Sequence, residues 1–172
     1  MRAPELPANE VERLAALHSL QLLDSQSDPV FEDLVEYAAS ALSMPYALVS
    51  VIDSDKQWFK ASCLLDTSEI GRDISFCGHA ILNPQEVMEV EDATLDARFW
   101  DNPLVTNAPH LRFYAGVPIV LTNGHAIGTV CVFDIKPRQL TEEQEMILKA
   151  LALIAAGELE RQYAPEPAPA AH

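Results

Sequence analysis

The fold of this chain is decided by one stretch, Arg112-Phe-Tyr-Ala-Gly-Val-Pro-Ile-Val-Leu-Thr-Asn-Gly-His-Ala-Ile-Gly-Thr-Val-Cys-Val-Phe-Asp134. The dipeptide Asn123-Gly124 in its second half is the strongest short hairpin signal in the sequence, because a tight hairpin turn needs residues that tolerate positive φ. The stretch therefore predicts two antiparallel strands, Arg112–Leu121 and His125–Asp134.

Three more strands are predicted upstream of this hairpin. Tyr46–Ile52 is rich in β-branched residues and too short for a helix of normal length. Asp53-Ser54-Asp55 then predicts a turn that leads into a second strand, Trp58–Cys63. A third strand is predicted at Glu86–Val90. Because hairpins pair neighbouring strands, the sheet is expected to be antiparallel.

Helices are predicted from their capping residues. Asn9 with Glu12 and Thr141 with Gln144 both resemble capping boxes. Asp28 stands directly before a proline and is typical of an N-cap, while Ser75 is placed to cap a short helix. The predicted helices run from Asn9 to about Leu23, from Asp28 to about Leu42, from Phe76 to Leu82, and from Thr141 to about Tyr163.

The predicted order of elements is α-α-β-β-α-β-α-β-β-α, an α+β fold in which helices cover the faces of an antiparallel sheet. One domain is expected, over residues 9–163. The long connection Asp92–Pro109 is a candidate ligand-binding loop that contains about one turn of helix. Residues 164–172 include three prolines and no core-forming residue, so a disordered tail is predicted.

Composition narrows the possible partners. The 172 residues include 26 acidic and 11 basic side chains, which gives a net charge of -15, so we expect no binding to nucleic acid. The sequence shows no apolar run near the roughly 20 residues that a membrane helix needs, and no apolar stretch typical of a secretory signal. The three cysteines, Cys63, Cys77 and Cys131, suggest neither a disulfide framework nor a metal site. We therefore expect a reduced, cytoplasmic protein that does not bind membranes.

Several motifs together resemble the GAF domain family, in the branch found ahead of bacterial diguanylate cyclases and histidine kinases. The resemblance covers residues 13–160. The segments that carry it are Ala47–Asp53, Gln57–Lys60, Ser75–Ile81, Asp92-Ala93, Asp96–Phe99, Asn102–Val105, Phe113–Pro118 and Gly128–Val132.

The resemblance implies a fold, a site and an assembly. The implied fold is a central antiparallel sheet with the terminal helices on one face and, on the other, a small-molecule pocket formed with short helices and loops. It further implies a dimer of terminal helices. No output domain is recognisable in the sequence, so we expect a stand-alone sensor that signals to a separate partner protein. The family binds diverse ligands, and its name does not identify the ligand or cofactor here.

Seven residues are candidates for the ligand site, because aromatic, thiol and polar side chains gather in the motifs next to the predicted pocket. Aromatic residues in strands are also common in cores, and Asp96, like Asp92, is better explained as a cap than as a metal ligand or acid/base group. The candidate ligand-binding residues are Trp58, Phe76, Cys77, His79, Asp96, Phe99 and Tyr114.

A catalytic alternative depends on Cys77. Some GAF proteins reduce free methionine sulfoxide, and Phe76-Cys77-Gly78 resembles one of their motifs. Their nucleophilic cysteine lies in the later connection, whereas Asp92–Pro109 contains no cysteine; Cys63 or Cys131 would have to substitute. Bilin attachment is disfavoured because Gly78 separates the cysteine from His79. A cyclic-nucleotide signature is not recognisable.

The last predicted helix suggests how the protein assembles. It carries one apolar stripe at Ile147, Leu151 and Ile154 and a second at its side. A helix that is apolar beyond its core-facing side needs a further cover. We expect a homodimer through the first and last helices; the alternative is that the first two helices cover both stripes within one chain. The second stripe comprises Met146, Ala150 and Leu153.

Overall fold

The computed structural model describes residues 1–22, 28–63, 65 and 67–163. Within them, six strands form one antiparallel sheet, as predicted. The strands are β1 (Tyr46–Ile52), β2 (Lys56–Cys63), β3 (Glu69–Gly71), β4 (Met88–Val90), β5 (Phe113–Val120) and β6 (Ala126–Asp134). Their order across the sheet is β3-β2-β1-β6-β5-β4. The predicted hairpin is the β5–β6 pair, and Gly124 in its turn has a φ of 87°.

Helices cover both faces of the sheet, so the α+β fold class is confirmed. The three longer helices, α1, α2 and α5, pack against one face of the sheet, and the side chains between them form one core. The short ones, α3 and α4, lie on the opposite face over a second, aromatic-rich core. The helix boundaries are α1 (Glu10–Ser19), α2 (Pro29–Ala41), α3 (Phe76–Ala80), α4 (Pro103–Thr106) and α5 (Glu142–Tyr163).

Three of the four predicted caps are confirmed. Asp28 accepts a hydrogen bond from the amide of Val30, and Ser75 accepts one from the amide of Gly78. Thr141 and Gln144 form a reciprocal capping box. Asn9 is the N-cap of α1, but its predicted capping box is wrong: its side chain makes no capping hydrogen bond and instead contacts the ring of His125.

Some boundaries differ from the prediction. Helix α1 ends at Ser19, and the predicted end at Leu23 lies outside the described residues, as does the tail 164–172. Strand β3 was not predicted, because three residues carry no periodicity and its pairing depends on Lys56–Trp58. The connection Asp92–Pro109 contains a 3-10 turn and α4.

Helix α5 places its small residues on the sheet. The sheet-facing side is formed by leucine and alanine, which let the helix approach the strands closely, while Met146, Leu153 and Ile154 are 52–76% exposed. No described residue therefore covers the second predicted stripe, and Ile154 of the first stripe is also exposed. The buried residues of α5 are Leu148, Leu151, Ala152, Ala155, Ala156 and Leu159.

Candidate functional site

A cavity of about 140 Å³ lies between the sheet and the segment that carries α3 and α4. Its floor is the sheet face on which Leu48, Gln57, Tyr114 and Cys131 project, because alternate residues of a strand point to the same side. Its walls come from α3, α4 and the loop at Leu65. The cavity therefore occupies the position in which a pocket was expected.

Helix α3 brings Cys77 against the sheet. The Ser75 hydroxyl caps this helix and also donates to the side-chain oxygen of Gln57. Phe76 stacks on Phe99 with ring centroids 3.9 Å apart. These contacts fix the helix, and the Cys77 side chain is 2% exposed.

The sulfur of Cys77 is surrounded by polar groups from three strands. Thr129 Oγ1 donates to it at 3.0 Å, and Gln57 Nε2 donates at 3.2 Å. The Tyr114 hydroxyl lies at 3.1 Å, and the Sγ atom of Cys131 lies at 3.7 Å. The Cys77 sulfur thus has polar partners on several sides, and the donors among them can stabilise a thiolate.

The pKa values of the two buried cysteines are shifted in opposite directions. Burial raises the pKa of Cys77, but hydrogen bonds with Cys131, Thr129, Tyr114 and Ser50 outweigh it and lower the pKa to about 7. The hydrogen bond with Cys77, together with burial, raises the pKa of Cys131 well above its usual value. Burial and the nearby cysteine charges also raise the pKa of Tyr114. The directions of these pKa shifts favour Cys77 over Cys131 as the thiol that ionises first.

Three of the seven candidate residues line the cavity: Phe76, Cys77 and Tyr114. Phe99 is fully buried behind Phe76 and does not line it. Asp96 accepts from the amide of Arg98 and pairs with its guanidinium, and the hydrogen bond from Arg98 lowers the pKa of Asp96. Asp96 is thus a cap, the role that its sequence position favours.

His79 and Trp58 lie away from the cavity. His79 projects from the outer side of α3, where its Nε2 lies 3.0 Å from the backbone oxygen of Arg2, and burial lowers its pKa. It borders an open depression of about 420 Å³ beside Arg98. Trp58 points to the opposite face of the sheet and packs with the helix-side core, because it alternates with Gln57 and Phe59 along β2.

Four residues of the thiol cluster were not predicted to be part of the site, although Cys131 was named as a possible substitute for a missing nucleophile. They share one signal, the alternation of polar side chains within apolar strands, which places them on the same face as Tyr114. These residues are Ser50, Gln57, Thr129 and Cys131. Among the described residues, no group of three or more metal-ligating side chains comes together, and no helix is long and apolar enough to cross a membrane.

Comparison with known proteins gives one family and several relatives. The model of the GAF domain family matches residues 26–159. A cyclic di-GMP phosphodiesterase of Pseudomonas aeruginosa is 43% identical over 148 residues, a match that covers 86% of this chain and 25% of that protein. The chain thus spans about a quarter of the length of that relative.

Two solved structures illustrate the similarity in fold. The GAF domain of a phosphoenolpyruvate-protein phosphotransferase from Coxiella burnetii superimposes with a TM-score of 0.66 at 16% identity, covering 89% of this chain and 94% of that one. A type II free methionine-R-sulfoxide reductase from Thermoplasma acidophilum gives 0.62 at 17% identity, covering 77% and 92%. At such identities the similarity extends to the fold alone.

Proposed function

This chain belongs to the GAF domain family, and on that premise we propose that it is a sensory regulatory module of signal transduction that binds a small, neutral molecule in the cavity under α3. The observation that carries the proposal is the cavity itself, which lies on the sheet face opposite α5 and has aromatic and aliphatic walls. A site enclosed by a few short elements is suited to change shape when a ligand enters.

The size of the cavity limits the ligand. Its volume of about 140 Å³ is close to that of the engineered cavity of roughly 150 Å³ that accommodates benzene. Sites for drug-sized ligands measure about 300–1,000 Å³. A cyclic dinucleotide or a tetrapyrrole would require the walls to open, so we expect a ligand no larger than a substituted benzene ring.

The lining limits the chemistry of the ligand. Among the described residues that line the cavity there is no Asp, Glu, Lys, Arg or His, and only the Cys77 thiol can ionise near neutral pH. The Gln57 amide is already engaged, since it donates to Ser50 and Cys77 and accepts from Ser75. An anionic ligand would lose hydration without gaining a partner, which costs free energy. A neutral, largely apolar ligand is therefore favoured.

Thermal unfolding with small probes tests this proposal. Toluene, phenol and indole are compared in the wild type, in Leu104→Trp, which fills the cavity wall, and in Leu95→Trp, a control at a position 84% exposed and outside the cavity. A probe at a hundred times its Kd should stabilise the wild type and the control by about 2.7 kcal/mol. Equal responses in Leu104→Trp, or none in the wild type, would contradict the site. Cyclic di-GMP should give no shift.

A second candidate function is a thiol-dependent reductase that resembles the free methionine-(R)-sulfoxide reductases and uses Cys77. The observation in its favour is the low pKa of Cys77 beside a second thiol. The uncharged lining favours it less, because a free amino acid carries an ammonium and a carboxylate. Consumption of NADPH coupled through thioredoxin, with methionine sulfoxide as substrate and Cys77→Ser as control, decides the point.

Signal output is proposed to pass through α5. Helix α5 lies beside α2 and packs on β5, and its outer side leaves Met146 and Leu153 exposed. We propose a homodimer that forms there, so α2 rather than α1 accompanies α5 at the interface.

The partner we propose is a signalling protein of the class of the Pseudomonas relative, an enzyme of cyclic di-GMP turnover. The proposed location is the cytoplasm, where buried thiols stay reduced.

A further inference from the structure

We propose that Cys77 and Cys131 form a peroxide-reactive dithiol, in which Cys77 attacks a small neutral hydroperoxide and Cys131 completes a disulfide. The proposal uses the cavity described above, yet it needs neither a resident ligand nor a dimer. Its basis is a pair of buried sulfurs 3.7 Å apart, with donors arranged around one of them and an opening that reaches both.

The two sulfurs have different surroundings, which assigns their roles. Cys77 receives hydrogen bonds from Thr129 and Gln57 and lies next to the Tyr114 hydroxyl. These groups stabilise its thiolate, the form that attacks. Cys131 faces Cys77 from a central strand and keeps its proton more tightly. Cys77 is therefore the attacking sulfur, and Cys131 is the resolving one.

Access is through the cavity. Both cysteines are almost fully buried, at 2% and 0% exposure, but both line the cavity, which is open to solvent on one side. Its uncharged lining favours neutral molecules over ions. Hydrogen peroxide and small alkyl hydroperoxides are neutral and fit within about 140 Å³, whereas a bulky, anionic thiol such as glutathione does not.

The reaction balances as a two-electron oxidation. The Cys77 thiolate attacks one oxygen of the hydroperoxide, the O–O bond breaks, and the leaving alkoxide or hydroxide takes up the proton that Cys77 had released. Cys77 is then a sulfenic acid. The Cys131 sulfur displaces hydroxide from it, the S–S bond forms, and the Cys131 proton leaves with the hydroxide as water. Two thiols are oxidised, and an alkyl hydroperoxide is reduced to an alcohol and water, or hydrogen peroxide to two waters.

To form the disulfide, the two sulfurs must come closer together, and the fold leaves more freedom at Cys77 than at Cys131. A disulfide bond is about 2.05 Å long, so the sulfurs must approach from 3.7 Å. Cys131 lies on β6, which is paired on both sides by β1 and β5. Cys77 lies on α3, which has only five residues. The Cys77 side chain, at the start of this short helix, is therefore the part that adjusts when the bond forms.

The experiment uses the Cys63→Ser protein, since Cys63 is half-buried and would react separately. One equivalent of hydrogen peroxide is added to the reduced protein at neutral pH, and the remaining thiols are alkylated and mapped. We expect both thiols to be lost together, a Cys77–Cys131 cross-linked peptide to appear, and dithiothreitol to restore both. Both thiols remaining alkylatable after excess peroxide would overturn the proposal, as would oxidation without a cross-link.

Two further variants assign the roles. With Cys131→Ser added, the reaction should stop at a Cys77 sulfenic acid that dimedone traps. With Cys77→Ala added, oxidation of Cys131 should be on the order of a hundredfold slower, because the thiolate is the reactive form. Faster labelling of Cys131 than of Cys77 would overturn the assignment. Circular dichroism checks that each variant is folded, and the Cys63→Ser cross-link stands as evidence if one of them is not.

A parallel reaction with free methionine sulfoxide separates this chemistry from the reductase. Oxidation of the pair by methionine sulfoxide at a rate above that with peroxide would overturn the assignment of hydroperoxide as oxidant. The probe-binding test with Leu104→Trp does not depend on thiol chemistry. Failure of the sensor proposal therefore shows as missing probe binding, and failure of the dithiol proposal shows as unreacted thiols.

Discussion

The hydroxyl of Tyr114 lies 3.1 Å from the sulfur of Cys77. Gly116, two residues along the same strand, leaves the space for it, because a Cβ added there would collide with the hydroxyl. The tyrosine ring also packs against Phe76 on α3. The Tyr114 ring is thus part of the core, while its hydroxyl contacts the Cys77 thiol.

Tyr114→Phe should make Cys77 less acidic. One hydrogen bond to a charged group contributes about 1.5–3 kcal/mol, so its loss should raise the pKa of Cys77 by about one unit or more from about 7. The measurement is the rate of alkylation of Cys77 against pH in the Cys63→Ser protein. Tyr37→Phe, at a position 56% exposed, is the control and should leave the profile unchanged. An unshifted profile in Tyr114→Phe would contradict the role of the hydroxyl.

Glu10 should make stability depend on pH. Its carboxylate is hydrogen-bonded to Arg13 at 2.9 Å and to Arg72, and both guanidinium groups are nearly buried. Burial raises the pKa of Glu10, but the two arginines lower it to about 2, below its usual 4.5. The stabilisation is complete above pH 4.5 and is lost as the pH falls through about 2.

Glu10→Gln should therefore cost about 3 kcal/mol of the free energy of unfolding at neutral pH. Urea unfolding of wild type and variant gives the difference, which should shrink as the pH falls below 4.5. Glu12→Gln is the matched control, because that residue is exposed on the same helix. A loss that stays constant down to low pH would show that the carboxylate charge is not responsible.

Two glycines should respond in opposite directions to alanine. A Cβ at Gly128 would overlap the backbone oxygen of Ser50, which cannot move without breaking the β1–β6 pairing. Gly157 lies in α5 with open space around it. Gly128→Ala should lose about 2 kcal/mol or more, whereas Gly157→Ala should gain about 0.5–1 kcal/mol. Urea unfolding measures both, and a loss in Gly157→Ala of similar size would contradict the steric explanation.

Local signals in the sequence were sufficient for much of the fold. Asn123-Gly124 located the central hairpin, and Asp28 before Pro29 located the start of α2. Strand β1 has the predicted ends, Tyr46 and Ile52. Each of these signals acts through a few adjacent residues, so no tertiary contact was needed. Strand β3 was missed because its three residues become a strand only through their pairing with β2.

The site was harder to predict, because both faces of the sheet are covered. Strands buried on both sides are largely apolar, and the few polar residues in them mark one face without showing that a pocket lies there. Trp58 was assigned to the ligand for this reason, yet its neighbours in sequence, Gln57 and Phe59, are the ones that reach the cavity. The Cys77–Cys131 pair spans 54 residues of sequence, a separation that no local pattern encodes.

The last prediction concerns the exposed side of α5. Leu153 is 76% exposed and Met146 is 70% exposed, and an apolar groove between α2 and α5 runs beside them. Tyr37 on α2 lines this groove and is 56% exposed. Aromatic and aliphatic side chains in this density are typical of an interface rather than of a free surface. A second copy of the chain, related by a two-fold axis, would cover both helices at once.

Leu153→Glu should dissociate this dimer. Placing a charge within an apolar interface costs about 2 kcal/mol or more, which corresponds to at least a thirtyfold weaker association. Leu95→Glu is the matched control, because Leu95 is 84% exposed and lies in the 3-10 turn of the Asp92–Pro109 connection, on neither α2 nor α5. Sedimentation equilibrium should give a dimer for wild type and control, and a monomer for Leu153→Glu with an unchanged circular dichroism spectrum, since Leu153 contributes nothing to the core. A wild type that stays monomeric at high micromolar concentration would contradict the interface and would leave α5 to meet a different partner.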